Sequence, residues 1–217
     1  MRTLQEIWPL FGLHIRSGPV ELAAIRDDDI PVLVELAESG IHDPDAMPFA
    51  FPWTDVPKDE LGRNMAVHYW QCRGSFTRDR WSLELVVRRE GRIVGVQGFG
   101  AQNYLVTRTG ETGSWVALEH QGKGTGTLMR QTLCAFLFDR LDAEEVTSAA
   151  FVDNPASMTV SRKVGYRPNG ETREKRRDGE LAVCRRLVLR PENFVRSGYT
   201  VDVEGLPAVR RLLGLDV

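Results

Sequence analysis

Gln121-Gly122-Lys123-Gly124-Thr125-Gly126-Thr127 is the stretch on which the reading of this chain turns. A strand-like segment, residues 114–118, precedes it, and an apolar helix is expected from 127 to 141. Three glycines at alternate positions remove the Cβ atoms that would block close approach, and they let the chain take positive φ without penalty. Backbone N–H groups then converge, and the following helix adds its unpaired first-turn donors and the positive end of its dipole. The stretch therefore reads as a site for a pyrophosphate or, alternatively, as a glycine-rich turn with no ligand. Spacing narrows the ligand. A P-loop requires Gly five residues before Gly-Lys-[Ser/Thr], but Ala117 stands there and Gly124 follows Lys123. The dinucleotide fingerprint G-x-G-x-x-G also fails, at Thr127 and at Met129.

A second motif lies further along: Phe151-Val-Asp-Asn154-Pro-Ala-Ser157-Met-Thr-Val-Ser161-Arg-Lys-Val-Gly165-Tyr166. The two together, Q-x-x-G-x-G and then N-x-x-[AS] with a short helix ending in Gly-[Phe/Tyr], resemble the GNAT superfamily of N-acyltransferases. The resemblance extends over residues 12–190 and is closest to the Rim-type branch, the ribosomal-protein N-terminal acetyltransferases and their small-molecule relatives. It implies an α/β (α+β) fold: one domain over 1–217 with a mixed, mostly antiparallel sheet and helices on both faces. The sheet would be splayed around an acyl-CoA cleft between 113–118 and 146–152.

Site residues follow from the same resemblance. Backbone groups of Val116 and Leu118 would pair with the pantetheine arm like an added strand. Gln121, Gly122, Lys123, Gly124, Thr125, Gly126 and Thr127 would hold the pyrophosphate. Asn154 would bond the pantetheine amides, with Ser157 and Ser161 further along the same helical face. Many members carry a Tyr proton donor where this chain has Ser161, a departure from the pattern. Rim-type relatives use the serine three after the asparagine, so Ser157 takes the role of protonating the thiolate. A helical serine bonding its own i−4 carbonyl is the alternative for Ser157. Asn154 followed by Pro155 also reads as a helix N-cap and first position.

Composition bounds the rest. A length of 217 residues with 42% hydrophobic and 27% charged residues is that of an ordinary globular domain. A net charge of -2 gives no broad basic field, so nucleic acid is not expected as a partner. No secretion signal is read in the first 30 residues, and no stretch is apolar enough to cross a membrane, so a cytoplasmic protein is expected. Cys72, Cys134 and Cys184 form no C-x-x-C pair, and the four histidines show no ligand spacing, so neither disulfides nor a metal is expected.

Alternating patterns place the remaining elements. Short strands are expected within 13–25, broken at Ser17-Gly18-Pro19, then a helix capped by 27–29 and running to 37. A Pro-aromatic loop, 40–57, precedes a helix over 58–73. A hairpin over 81–87 and 92–99 turns at Glu90-Gly91. Strands over 146–152 and 181–189 flank the second-motif helix, 155–164. The cluster Arg173 to Arg177 reads as a solvated hairpin tip. The tail, 199–217, is mildly amphipathic and is expected to pack on the domain or on a subunit partner in a homo-oligomer.

The chemistry implied is attack by an amine on the thioester of acetyl-CoA, or of succinyl-CoA, by direct transfer without a metal. An α-amine with pKa near 8 is neutral about one time in ten at pH 7, and a lysine near 10.4 only about once in a few thousand. The acceptor is thus a small-molecule amine or a protein N-terminus. Protein lysine acylation and acyl-CoA binding without turnover are the alternatives. Candidate bases are Glu84, Asp43, Asp55, Glu171 and Glu174, and Phe51, Trp53 and Trp70 are candidates to stack on the acceptor.

Overall fold

A computed structural model describes residues 1–216. A one-turn helix α1 (Leu4–Ile7) leads into the hairpin β1 (His14–Ser17) and β2 (Val20–Ala24). Helices α2 (Ile30–Ser39) and α3 (Lys58–Gly74) follow, joined by the loop 40–57. Then come the hairpin β3 (Arg80–Arg89) and β4 (Arg92–Gln102), the one-turn helix α4 (Tyr104–Thr107), β5 (Thr109–Val116) and α5 (Thr125–Arg140). The chain continues through β6 (Glu145–Phe151), α6 (Pro155–Val164), the hairpin β7 (Arg167–Arg177) and β8 (Glu180–Leu189), β9 (Asp202–Glu204) and α7 (Leu206–Leu213).

The strands form one sheet in the order β7-β8-β6-β5-β4-β3-β2-β1-β9. Its two faces follow from strand alternation. Leu83, Leu85 and Val87 of β3 point to one side and join Leu133, Phe136 and Leu137 of α5. Val86 and Val96 point to the other and join Leu33 of α2 with Leu61, Met65 and Tyr69 of α3. Helices therefore cover both faces of a mixed, mostly antiparallel sheet.

Only β5 and β6 are parallel, and they pair from Thr109↔Glu145 to Thr112↔Ser148. Beyond that rung β5 stays with β4 through Val116↔Gly95, while β6 stays with β8 through Phe151↔Cys184. Each strand is thus held on its outer edge alone, and the sheet forks. An inner strand edge with unpaired backbone groups is a template for an added strand.

Arg130 of α5 lies beneath this fork, 5% exposed. Its Nη1 donates to Thr112 Oγ1 (2.8 Å) and Ser148 Oγ (3.3 Å), Nη2 to Ser114 Oγ (2.9 Å), and Nε to Gln97 Oε1 (3.1 Å). One guanidinium so ties β4, β5 and β6 together where β5 and β6 part.

Several boundaries differ from expectation. The strand before the glycine loop is β5, ending at Val116, and Leu118–His120 form a 3-10 turn because Leu118 N–H donates to Gly40 O instead of a neighbouring strand. Helix α5 starts at Thr125, two residues early, since Gly124 in the left-handed region already serves as its N-cap. The tail adds β9 to the free edge of β1, and Val209 and Leu213 of α7 are buried in the main core. Its apolar stripe is satisfied within the chain, which removes the reason for expecting a subunit contact there.

Candidate functional site

The glycine loop is open where an anion would sit. Gly122 and Gly124 have φ of +72° and +79°, and a Cβ at either would meet nothing within 4 Å. Their glycines are required by backbone conformation, with free space above them. No side chain caps α5, so its first-turn N–H groups have no side-chain acceptor. Arg89, at the end of β3, props the loop from below, donating to Lys123 O (2.9 Å) and to Thr125 Oγ1 (2.8 Å). Thr125 is buried, and Lys123 is exposed. A Cβ at Gly126 would lie 3.4 Å from Val160 of α6, so the two motifs pack closely here.

Gln121 does something other than face a ligand. Its Nε2 donates to Ile41 O and to Val116 O, both at 2.7 Å, clamping the loop to the end of β5 and to residue 41. Both amide hydrogens are used, so Gln121 shapes the loop. Leu118 N–H is likewise committed, to Gly40 O at 3.0 Å, so the Leu118 amide has no hydrogen for an added strand.

Asn154 is the N-cap of α6, with its Oδ1 accepting from Ser157 N–H at 3.0 Å, and Pro155 follows at the first position. That leaves the Asn154 amide N–H₂ to serve a ligand. Ser157 is half-buried one turn in, and no i−4 bond of its hydroxyl is among the hydrogen bonds of the described residues. Ser161 departs from expectation. At 2% exposure it is covered by protein and does not line an open cleft, because the helix turns it toward the packed side with Val164. Tyr166 is buried with its hydroxyl on Thr112 Oγ1 (3.1 Å), a packing role.

A cavity of about 620 Å³ opens on the α3 face. Its floor is the centre of the sheet, where Glu84↔Gly98 and Gly98↔Gly113 are register partners and Gly100↔Glu111 lie on the adjacent rung. Its walls are α3, through Met65, His68 and Tyr69, and the Pro-aromatic loop, through Phe51 and Trp53. Gly113 and Ser114 belong both to the cavity wall and to the first stretch of β5 beyond the fork. Trp70 is not part of it: its indole N–H donates to Asp27 Oδ1 at 3.2 Å on the outside of α3.

Glu84 stands out among the carboxylates. Burial pushes its pKa up to about 7, only partly offset by the Ser82 hydroxyl, and no ion pair involves it among the described residues. Cys72 Sγ lies 4.0 Å from Glu84 Oε1 and 3.7 Å from His68 Nε2, and the three side chains meet within 4.8 Å. Burial lowers the pKa of His68 and raises that of the Cys72 thiol, favouring the neutral form of each. This cluster was not read from sequence. Its signal was the i, i+4 spacing of His68 and Cys72, which puts them on one face of α3. The other candidate bases are already engaged. Arg177 bonds Asp55 and holds its pKa down (2.5 Å), Arg185 takes Glu171 (2.5 Å), Arg186 takes Glu174 (2.7 Å), and Asp43 caps Asp45 N–H (3.0 Å).

The basic cluster near 173–177 is also more than a solvated tip. The turn is Asp178-Gly179, and two arginines before it reach back into the molecule. Arg176 bonds both oxygens of Asp153 (2.6 and 2.8 Å) and stacks on Phe151 at 4.3 Å. Arg177 bonds both oxygens of Asp55 and donates to Pro44 O. The β7–β8 hairpin is thereby strapped to the Pro-aromatic loop across the fork.

Known proteins share this fold. The sequence profile of the family described as "Acetyltransferase (GNAT) domain" matches residues 20–167. Over 69 residues the chain is 33% identical to a Bacillus subtilis (strain 168) protein, YdaF, which bears a provisional name as a ribosomal N-acetyltransferase; the match spans 32% of this chain and 38% of that relative's length. Among solved structures, Mycobacterium smegmatis RimJ in complex with a coenzyme A disulfide superposes with a TM-score of 0.73 at 19% identity, covering 88% of this chain and 91% of that one. RimL, a ribosomal L7/L12 α-N-protein acetyltransferase in complex with coenzyme A, gives 0.65 at 17% identity over 80% and 95%. Spermidine N-acetyltransferase from Vibrio cholerae, with coenzyme A and spermine, gives 0.62 at 18% over 81% and 97%.

Proposed function

The chain belongs to the GNAT acetyltransferase family, and from that premise we propose that it transfers an acetyl group from acetyl-CoA to the primary amine of an acceptor held in the α3-side cavity. The observation that carries this reading is the meeting of fork and cavity at Gly113 and Ser114, next to the rung that bears Glu84. A thioester entering along the free edge of β5 arrives there beside a carboxylate with pKa about 7. The pyrophosphate rests on the first-turn amides of α5 and on the Gly122 and Gly124 backbone, with Lys123 beside it and Thr127 on the same turn. The pantetheine arm pairs with Val116 and meets the Asn154 amide.

Glu84 takes a proton from the ammonium form of the acceptor, whose neutral amine attacks the thioester carbonyl. The tetrahedral intermediate collapses with loss of the coenzyme A thiolate. The Ser157 hydroxyl gives its proton to that sulfur and is restored by the proton the attacking nitrogen sheds on becoming an amide, while Glu84 returns its own proton to solvent. A base with pKa near the working pH is matched to this task, because it is about half ionised at pH 7 and about nine-tenths ionised at pH 8, and still accepts a proton.

Acetyl is favoured over succinyl by the lining: recognition of a second carboxylate calls for Arg or Lys, and the described cavity residues include neither. A concave cavity also fits a single amine better than the flat groove a protein lysine would need. Calorimetric titration with acetyl-, succinyl- and free coenzyme A is the test. Micromolar binding with acetyl-CoA preferred is the expected result, and loss of affinity in Gly124→Val would support the pyrophosphate placement. Absence of binding to all three would overturn the reading.

A further inference from the structure

Glycine inside a strand weakens it, and where no bulge explains it the position often marks close approach by another group. Here three such glycines share one face. Gly98 and Gly113 are register partners, and Gly100 is two residues along from Gly98 on the same side. A Cβ at Gly100 or Gly113 would meet nothing within 4 Å, and at Gly98 it would meet the Glu84 carboxylate at 3.3 Å and the Gly113 carbonyl oxygen at 3.4 Å. These glycines contrast with Gly95 and Gly110, where a Cβ would strike backbone at 2.2 and 2.6 Å and packing alone demands glycine.

The result is a bare patch of backbone across two strands. Strands lie about 4.8 Å apart and same-face residues about 6.6 Å apart along a strand, so the patch has roughly the footprint of one six-membered ring. Two carboxylates border it, Glu84 at one side and Glu111, which lies 3.9 Å from Arg186, at the other, and Trp115 and Trp53, 6.0 Å apart, line the same cavity. No lysine or arginine is present among the described lining residues.

Resting on the activity proposed above, we infer that the acceptor is a small aromatic monoamine without a carboxylate of its own. The flat ring lies on the glycine floor with the two tryptophans among its lining, and its ammonium group sits at Glu84 near the fork. An amino acid would bring its carboxylate close to Glu84, which has no cationic partner among the described residues, and like charge repels it there. A peptide N-terminus has a chain to lead out of the cavity, and a linear polyamine has no flat body to cover the floor.

The experiment compares initial rates of coenzyme A release from acetyl-CoA with phenethylamine, phenylalanine, spermidine and a Ser-initiated hexapeptide, with acetyl-CoA binding measured separately by calorimetry. Phenethylamine is expected to give a kcat/KM at least about 10-fold above each of the others. Gly100→Val, which has room for its side chain, should raise KM for phenethylamine about 10-fold and leave acetyl-CoA affinity unchanged. If acetyl-CoA binds but the peptide or spermidine is preferred, or no aromatic amine turns over, the acceptor assignment is wrong while the cofactor reading stands. If acetyl-CoA does not bind, the failure lies in the activity itself.

Discussion

The two faces of the central sheet each hold a charged side chain with no oppositely charged partner among the described residues, and they treat it in opposite ways. Under α5, Arg130 is closed off from solvent and its guanidinium makes four hydrogen bonds to neutral acceptors. Under α3, Glu84 borders a cavity, and its side-chain contacts are a weak one from a thiol at 4.0 Å and the Ser82 hydroxyl, which offsets only part of the effect of burial. A buried charge with several strong hydrogen bonds stabilises the arrangement around it; one whose donors do not offset its burial raises its pKa and is available for chemistry. The difference separates the scaffold of the fork from the reacting end of the site.

Removing the satisfied charge should have the largest effect. Arg130→Ala leaves Thr112, Ser148, Ser114 and Gln97 without their shared donor and opens a void, so urea denaturation should show a loss of about 3 kcal/mol or more. An unchanged midpoint would erase the contrast, since Arg130 would then be dispensable.

Removing the unsatisfied charge should do the reverse to stability and harm activity. The folded pKa of Glu84 lies above its ordinary value, so its contribution is fully present below about pH 4.5 and is lost as pH rises through about 7. Glu84→Gln should therefore gain on the order of 2 kcal/mol above pH 8 while lowering kcat/KM about 100-fold. In the parent protein kcat/KM should rise with pH to a plateau with its midpoint near 7, and this limb should vanish in the variant. A variant that is both less stable and fully active would place Glu84 with Arg130 as scaffold.

Ser157→Ala should act more mildly, lowering kcat by about 10-fold with acetyl-CoA affinity intact, because a thiolate of pKa about 8.5 leaves readily even without a proton. The smallest effect is expected at the strap. Arg177→Ala removes an exposed pair with Asp55, so KM for the acceptor should rise a few-fold, less so at high salt, with little change in thermal midpoint. A large loss of kcat there would mean that the strap orders the reacting groups.

Legibility in the sequence tracked how local each feature is. The hairpin at Glu90-Gly91, helix α6 from Pro155 to Val164 and the Asn154 cap all follow from residues adjacent in the chain, and all appear where the pattern puts them. The glycine loop was legible because positive φ at Gly122 and Gly124 is a property of the residues themselves. Strand β7 escaped as a full strand because its exposed, charged sequence carries no alternating apolar signal. The inward turn of Gln121, the covering of Ser161 and the strap through Arg176 and Arg177 each depend on partners far along the chain.

The sequence by itself determined the family, the glycine loop, the capped second-motif helix and most elements, because turn chemistry, capping and strand or helix periodicity are written within a few residues. Only the tertiary structure decided that Glu84, and not Asp55, Glu171 or Glu174, stands free of arginine. It alone set Gly98, Gly100 and Gly113 side by side as the floor of a cavity. Register between strands and the pairing of charges are long-range outcomes of packing, and a linear pattern does not carry them.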